Sequence, residues 1–283
     1  MGKFAHAFLL TALFTLASTV AFATGQAGDV IYIDGQEWVL LGRPVGYDSV
    51  LYSRVVAALP GERSQSTANW DGFQGYWSLD GDRLILDSVV VEVPGDVYYK
   101  EYALRQEVMR EVFGDYYRGG RIVAAWVTGV LRVAQGKMLL YQHDAWVRHY
   151  ETEMLLEVEQ GSVAKRTLYH NRMVVDGLSL DENTNDTQWE AFTDGFLPIL
   201  RQHRELDTVD KVYFVLRNCV ADSLGHITDI DVEVRYKGRR ENVTEVAEEF
   251  RQYMMNFYPW RTMLINGEYI AIWRSWMFNI RLK

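Results

Sequence analysis

The chain has 283 residues, 48 % of them apolar and 13 % aromatic, with a formal net charge of -9. So large an apolar fraction excludes wholesale disorder, and the counts of five prolines and 22 glycines exclude collagen-like or proline-rich low complexity. The acidic balance excludes a general nucleic-acid binder, which needs a basic face to neutralise phosphates.

The first elements do not belong to the fold. Lys3 and His6 precede an uncharged run from Ala7 to Ala23 that ends in Ala21-Phe22-Ala23, the small-x-small pattern of a signal-peptidase site. The expectation is a signal peptide over residues 1–23, cleaved after Ala23 or Ala27. The alternative is an uncleaved anchor, since the run is at the short limit for a spanning helix. No other stretch is long enough to span a bilayer, so a cleaved chain has no membrane span and belongs to the periplasm or cell envelope. Cys219 is the only cysteine, so no intrachain disulfide forms. In an apolar run it reads as a buried small hydrophobe rather than a reactive thiol.

Residues 24–180 read as a β-rich module. Val30 to Ile33, the Asp34-Gly35 turn and Glu37 to Leu41 form a hairpin. Trp77 to Leu79 and Arg83 to Val93 flank Asp80-Gly81-Asp82, a second one. One helix is expected near 102–113, where Tyr102, Val108, Val112 and Phe113 approach helical spacing, ending near Gly114. Arg121 to Val133 is a β-branched run broken at Gly129. Tyr150 to Glu159 and Ser162 to His170 flank Gln160-Gly161, and a tight turn there sets Glu151 opposite His170.

Residues 181–207 read as a polar linker and a connecting helix. Thr187 and Glu190 have capping-box spacing, Trp189, Phe192, Phe196 and Leu200 form an apolar stripe, and Pro198 is expected to kink or divide the helix. The acidity stops here: residues 24–207 hold 28 acidic and 17 basic side chains, residues 208–283 hold 10 and 11. That asymmetry supports a module boundary.

Residues 208–283 read as strand, strand, helix, strand. Lys211 to Ala221 and His226 to Arg235 flank the Asp222-to-Gly225 turn. Val243 to Met254 has helical period, with Asn242 or Thr244 as cap. Tyr269 to Leu282 follows the Asn266-Gly267 turn as one strand. The fold class is α+β.

The last module resembles the C-terminal domain of the TonB energy-transducer family. The resemblance rests on Val220-Ala221-Asp222, Gly225-His226-Ile227, Asp229-Ile230, Tyr258-Pro259-Trp260, Asn266-Gly267 and Phe278-Asn279-Ile280, in the family's order and spacing. It covers a quarter of the chain. A transducer needs a proline-rich spacer, absent here, and the family's second proline after the tryptophan is replaced by Arg261-Thr262. The resemblance therefore implies a TonB-C-like ββαβ fold without energy transduction. It also implies a mode of use, in which an extended peptide pairs with an exposed strand edge. The implied edge residues are Tyr269, Ile270, Trp273, Trp276 and Phe278; the competing reading makes both tryptophans core or homodimer contacts, since large aromatics are usually buried. A second likeness, of Ser66 to Trp70, Gly72-Phe73, Tyr76-Trp77, Asp80-Gly81 and Leu84-x-Leu86, is to secreted Bacteroidetes proteins of unknown function.

Other chemistry is sparse. Trp70, Phe73, Tyr76 and Trp77 can stack on a sugar or fill a core, which keeps a secreted glycan binder or hydrolase open as the alternative function. His149, Glu151 and His170, with His143 and Glu153 nearby, can be read as a minimal zinc set or as a solvated polar face. No nucleophile elbow, phosphate loop or dinucleotide fingerprint occurs, so no catalytic residue and no cofactor is expected. The expected partner is a periplasmic or outer-membrane protein or peptide, or a second copy of the chain.

Overall fold

The computed structural model describes residues 25–141, 145–179, 186–236, 244–271 and 275–283. The expected signal peptide, His143, Trp273 and the cap Asn242 lie outside them. No helix among the described residues is long and apolar enough to cross a membrane. The chain is α+β, with two sheets and four helices among the described residues, in two compact units. One unit takes residues up to His149 with Met154–Thr167, the other Tyr150–Glu153 with Leu168–Lys283.

The first unit is built on a ten-stranded sheet. Its elements are β1 (Asp29–Ile33), β2 (Gln36–Leu40), α1 (Ser49–Ala58), β3 (Gln74–Asp80), β4 (Arg83–Val93), β5 (Lys100–Ala103), α2 (Gln106–Val112), β6 (Tyr117–Arg118), β7 (Arg121–Val123), β8 (Gly129–Tyr141), β9 (Arg148–Glu159) and β10 (Ser162–His170). The order β10-β9-β8-β2-β1-β3-β4 closes on itself, because Ser162 of β10 pairs with Arg83 of β4. Closure removes edges from the ring. Period-two alternation turns Ile31, Ile33, Trp38, Leu40, Trp77 and Leu86 into one core, which α1 joins through Leu51 and Val55.

The expected hairpins form because their turn residues suit the backbone. Asp34 and Gly35 have φ +51° and +77°, and Gln160 and Gly161 have +47° and +76°. Positive φ at both central residues matches the right-handed strand twist. Two features differ from expectation. The helix near 102–113 covers only Gln106–Val112, and Tyr102 sits on β5, paired with Val91. Helix α1 adds to the elements expected from the sequence. Its valines carry β propensity, but Asp48 accepts from the N–H groups of Val50 and Leu51 at 2.9 Å and starts it.

The second unit comprises β11 (Arg172–Val175), α3 (Asp186–Leu200), β12 (Lys211–Ala221), β13 (Ile227–Tyr236), α4 (Thr244–Asn256), β14 (Thr262–Ile265), β15 (Glu268–Ile270) and β16 (Ser275–Arg281). The unit starts before the expected boundary at 180, because β11 pairs with β14. Helix α3 does not divide at Pro198, which lies in its last turn, and it begins at Asp186, so Thr187 lies inside it. It is not a bare connector. Phe192, Phe196 and Leu200 join Phe214, Phe250 and Trp260 in the core, where Phe196 meets Phe250 edge-on at 4.7 Å.

Candidate functional site: the outer edge of the second sheet

Strand β12 is the spine of this sheet. Along one side it pairs with β13. Along the other it pairs with β16 from Lys211↔Arg281 to Arg217↔Ser275, and beyond that with β15 at Val220↔Ile270. The expected single strand from Tyr269 to Leu282 is therefore two strands. Tyr269 and Ile270 sit on β15, between β14 and β12, so their strand is interior and offers no free edge. Asn266 and Gly267 form the turn into it, with φ +52° and +88°. Among the described residues β16 pairs only with β12, which leaves its outer side open.

The hydrogen-bond phase of β16 follows from one contact. Leu282 N donates to Asp210 O at 3.0 Å. Hydrogen-bonded and non-bonded pairs alternate along an antiparallel ladder. The β12–β16 register has no bulge, so Ile280, Phe278 and Trp276 bond to β12. Ser275, Met277, Asn279 and Arg281 then turn their N–H and C=O groups outward. The side chains divide the same way. Trp276, Phe278 and Ile280 face the core, with Phe278 stacked on Phe214 at 5.3 Å and set edge-on to Trp189 at 4.9 Å. Ser275, Met277, Asn279 and Arg281 are exposed. Trp276 Nε1 is buried and has no hydrogen-bond partner among the described residues.

Asp222, Gly225, His226, Tyr258 and Trp260 meet around the β12–β13 turn. Asp222 Oδ1 accepts from Leu224 N at 2.8 Å and His226 N at 2.9 Å, which closes the β12–β13 turn. The His226 ring also bonds to Asp222, Nδ1 to Oδ2 at 2.9 Å, and the backbone and ring bonds from His226 together hold the Asp222 carboxyl down at about 2. His226 also stacks on Tyr258, with centroids 4.2 Å apart. Gly225 O accepts from Trp260 N at 2.9 Å. Trp260 is buried, and its Nε1 donates to Met254 O at 2.9 Å, satisfying a carbonyl in the last turn of α4. Gly225 has φ +90°, and a Cβ there would lie 2.8 Å from Trp260 O. Gly225→Ala is accordingly expected to destabilise the second unit by about 1–3 kcal/mol, measured by urea unfolding of the full chain.

The N-terminal aromatic set separates by burial. Phe73 and Trp77 are 0 % exposed and cannot stack on a ligand; Tyr76 is half-buried; Trp70 alone is open, at 54 %. Trp77 serves a buried polar group instead. Its Nε1 donates to Asp29 Oδ2 at 2.9 Å, while Gly75 N donates to Asp29 Oδ1 at 3.0 Å. The Arg43 guanidinium lies 3.4 Å from Asp29 Oδ1 and also holds Asp71, which accepts from the Tyr52 hydroxyl. Burial pushes the Asp29 carboxyl up to about 6, against the pull of Arg43 and the two N–H donors. Burial and the neighbouring Asp71 push Tyr52 up to about 12. The sequence gives no local hint of this group, whose members come from β1, β3, α1 and two loops.

The three residues of the possible zinc set do not share an environment. His149 is buried, with Arg132 Nη1 3.3 Å from its Nδ1, whereas Glu151 and His170 are exposed. Glu153 is buried and accepts from Tyr150 N at 2.9 Å. Among the described residues no group of three or more His, Cys, Asp and Glu side chains could hold a metal ion. Cys219 is buried in β12.

No family model, curated protein or solved structure matches the chain.

Proposed function

We propose that the chain is an exported binding or adaptor protein of the cell envelope, which captures an extended segment of a protein partner by strand addition along β16, without transducing energy. The observation that carries this reading is the side of β16 left unpaired among the described residues, where Ser275, Met277, Asn279 and Arg281 offer outward N–H and C=O groups. Such an edge is a template for another strand. Met277 and Asn279 supply a modest side-chain contact on the solvent face, so main-chain hydrogen bonds carry most of the affinity. A second copy of the chain is the other occupant that the edge admits.

The test uses proline as a backbone probe. Proline removes one N–H and fixes φ in a range that edge strands accept. At Met277 the lost N–H is an outward one, so the pairing with β12 is kept. Met277→Pro is expected to lower partner capture from envelope extract at least tenfold, while Met277→Ala retains it. In the wild-type complex the amides of 277 and 279 gain protection from hydrogen exchange. Equal capture by Met277→Pro, with those amides unprotected in the complex, overturns the proposal.

A further inference from the structure

The ladder between β4 and β5 ends at Val93↔Lys100, and residues 94–99 turn beyond it. This turn has a set shape. A Cβ on Gly95 would lie 2.3 Å from the Tyr98 carbonyl oxygen, so the chain doubles back where only glycine fits. The fold-back turns three consecutive large side chains outward: Val97 is 79 % exposed, Tyr98 83 % and Tyr99 60 %. The other exposed large hydrophobics among the described residues stand singly in sequence. Single ones are ordinary, while a contiguous exposed group marks an interaction site.

We propose that the 94–99 loop is a membrane-interface anchor, seating Val97, Tyr98 and Tyr99 at the headgroup–acyl boundary of an electrically neutral bilayer. The apolar group is a protrusion and not a groove, so it enters a soft surface more readily than it receives a ligand. Tyrosine suits that depth, with its ring in the acyl region and its hydroxyl among the headgroups. Charge selects the lipid. Asp96 and Lys100 cancel at the tip, while Glu92 and Glu101 face each other across the ladder at its base. A neutral tip on an acidic stalk is repelled by anionic lipid and accepted by zwitterionic lipid. This inference is independent of strand capture by β16.

The experiment places a polarity-sensitive fluorophore on the full chain through Tyr98→Cys. Cys219 is buried and stays unlabelled in the folded protein. With phosphatidylcholine vesicles the emission is expected to shift to the blue. The added changes Val97→Ser and Tyr99→Ser should lower vesicle partitioning about tenfold or more, with thermal unfolding unchanged because the loop is exposed. Sedimentation with vesicles while the label stays water-like overturns the proposal, since binding then runs through another segment. A larger shift on phosphatidylglycerol-rich vesicles overturns the choice of neutral lipid. Absence of any shift or sedimentation overturns the anchor.

Discussion

Arg43→Leu is expected to destabilise the first unit by about 3–5 kcal/mol at pH 7.5, because it leaves buried Asp29 without a counter-charge. The loss should shrink on acidification. The folded Asp29 carboxyl titrates near 6 and the unfolded one near its ordinary value of 3.8. Between those values the folded chain holds the extra proton. The group's contribution is therefore fully present below pH 3.8 and is lost as pH rises through 6. Removing the guanidinium takes away the attraction that favours the ionised form, which moves the folded value higher still and deepens the loss at neutral pH. Urea unfolding at pH 7.5 and pH 5 tests this directly. Asp29→Asn, which cannot ionise, should flatten the dependence over the same window. An Arg43→Leu penalty equal at both pH values contradicts the account.

Trp260→Ala should cost about 3–5 kcal/mol in the second unit, the usual range for emptying a large aromatic site. The ring is buried between Phe192 and Phe257, with both centroids 5.1 Å away. Trp260→Phe keeps most of the packing and loses the bond to Met254 O, for which about 1–3 kcal/mol is expected. Urea unfolding of both variants separates the ring's packing from its hydrogen bond. A Trp260→Phe loss as large as the Trp260→Ala loss would show that the indole N–H, and not the ring volume, holds the turn against α4.

What the sequence makes legible is what is local. Asp34-Gly35, Gln160-Gly161 and Asn266-Gly267 announce hairpins because each pair accepts positive φ. The stripe of α3 is readable because Phe192, Phe196 and Leu200 recur at four-residue spacing. Helix α1 escapes the reading because Val50, Val55 and Val56 suggest a strand, and burial of only Leu51 and Val55 decides otherwise. The break after Ile270 is hidden because the apolar run continues across it. Pairing geometry with β14 and β12 ends β15, and no turn residue marks the place. The site divides on the same principle. Trp276 and Phe278 are on the edge strand as read, but the outward groups that matter belong to the backbone of their neighbours. The Asp29–Arg43–Asp71 association is set by tertiary closure alone.

The pairing of β16 has a kinetic meaning. It joins Lys211 to Arg281 and Arg217 to Ser275, so docking this strand closes loops of roughly sixty to seventy residues. Contacts that distant are expected to form late, after the β12–β13 hairpin and α4 have a surface to receive them. Until then β12 presents one unpaired side, and a β16 from another molecule fits it as well as its own does. At high protein concentration the same strand that finishes one sheet can finish its neighbour's, so refolding yield should fall with concentration through exchanged dimers.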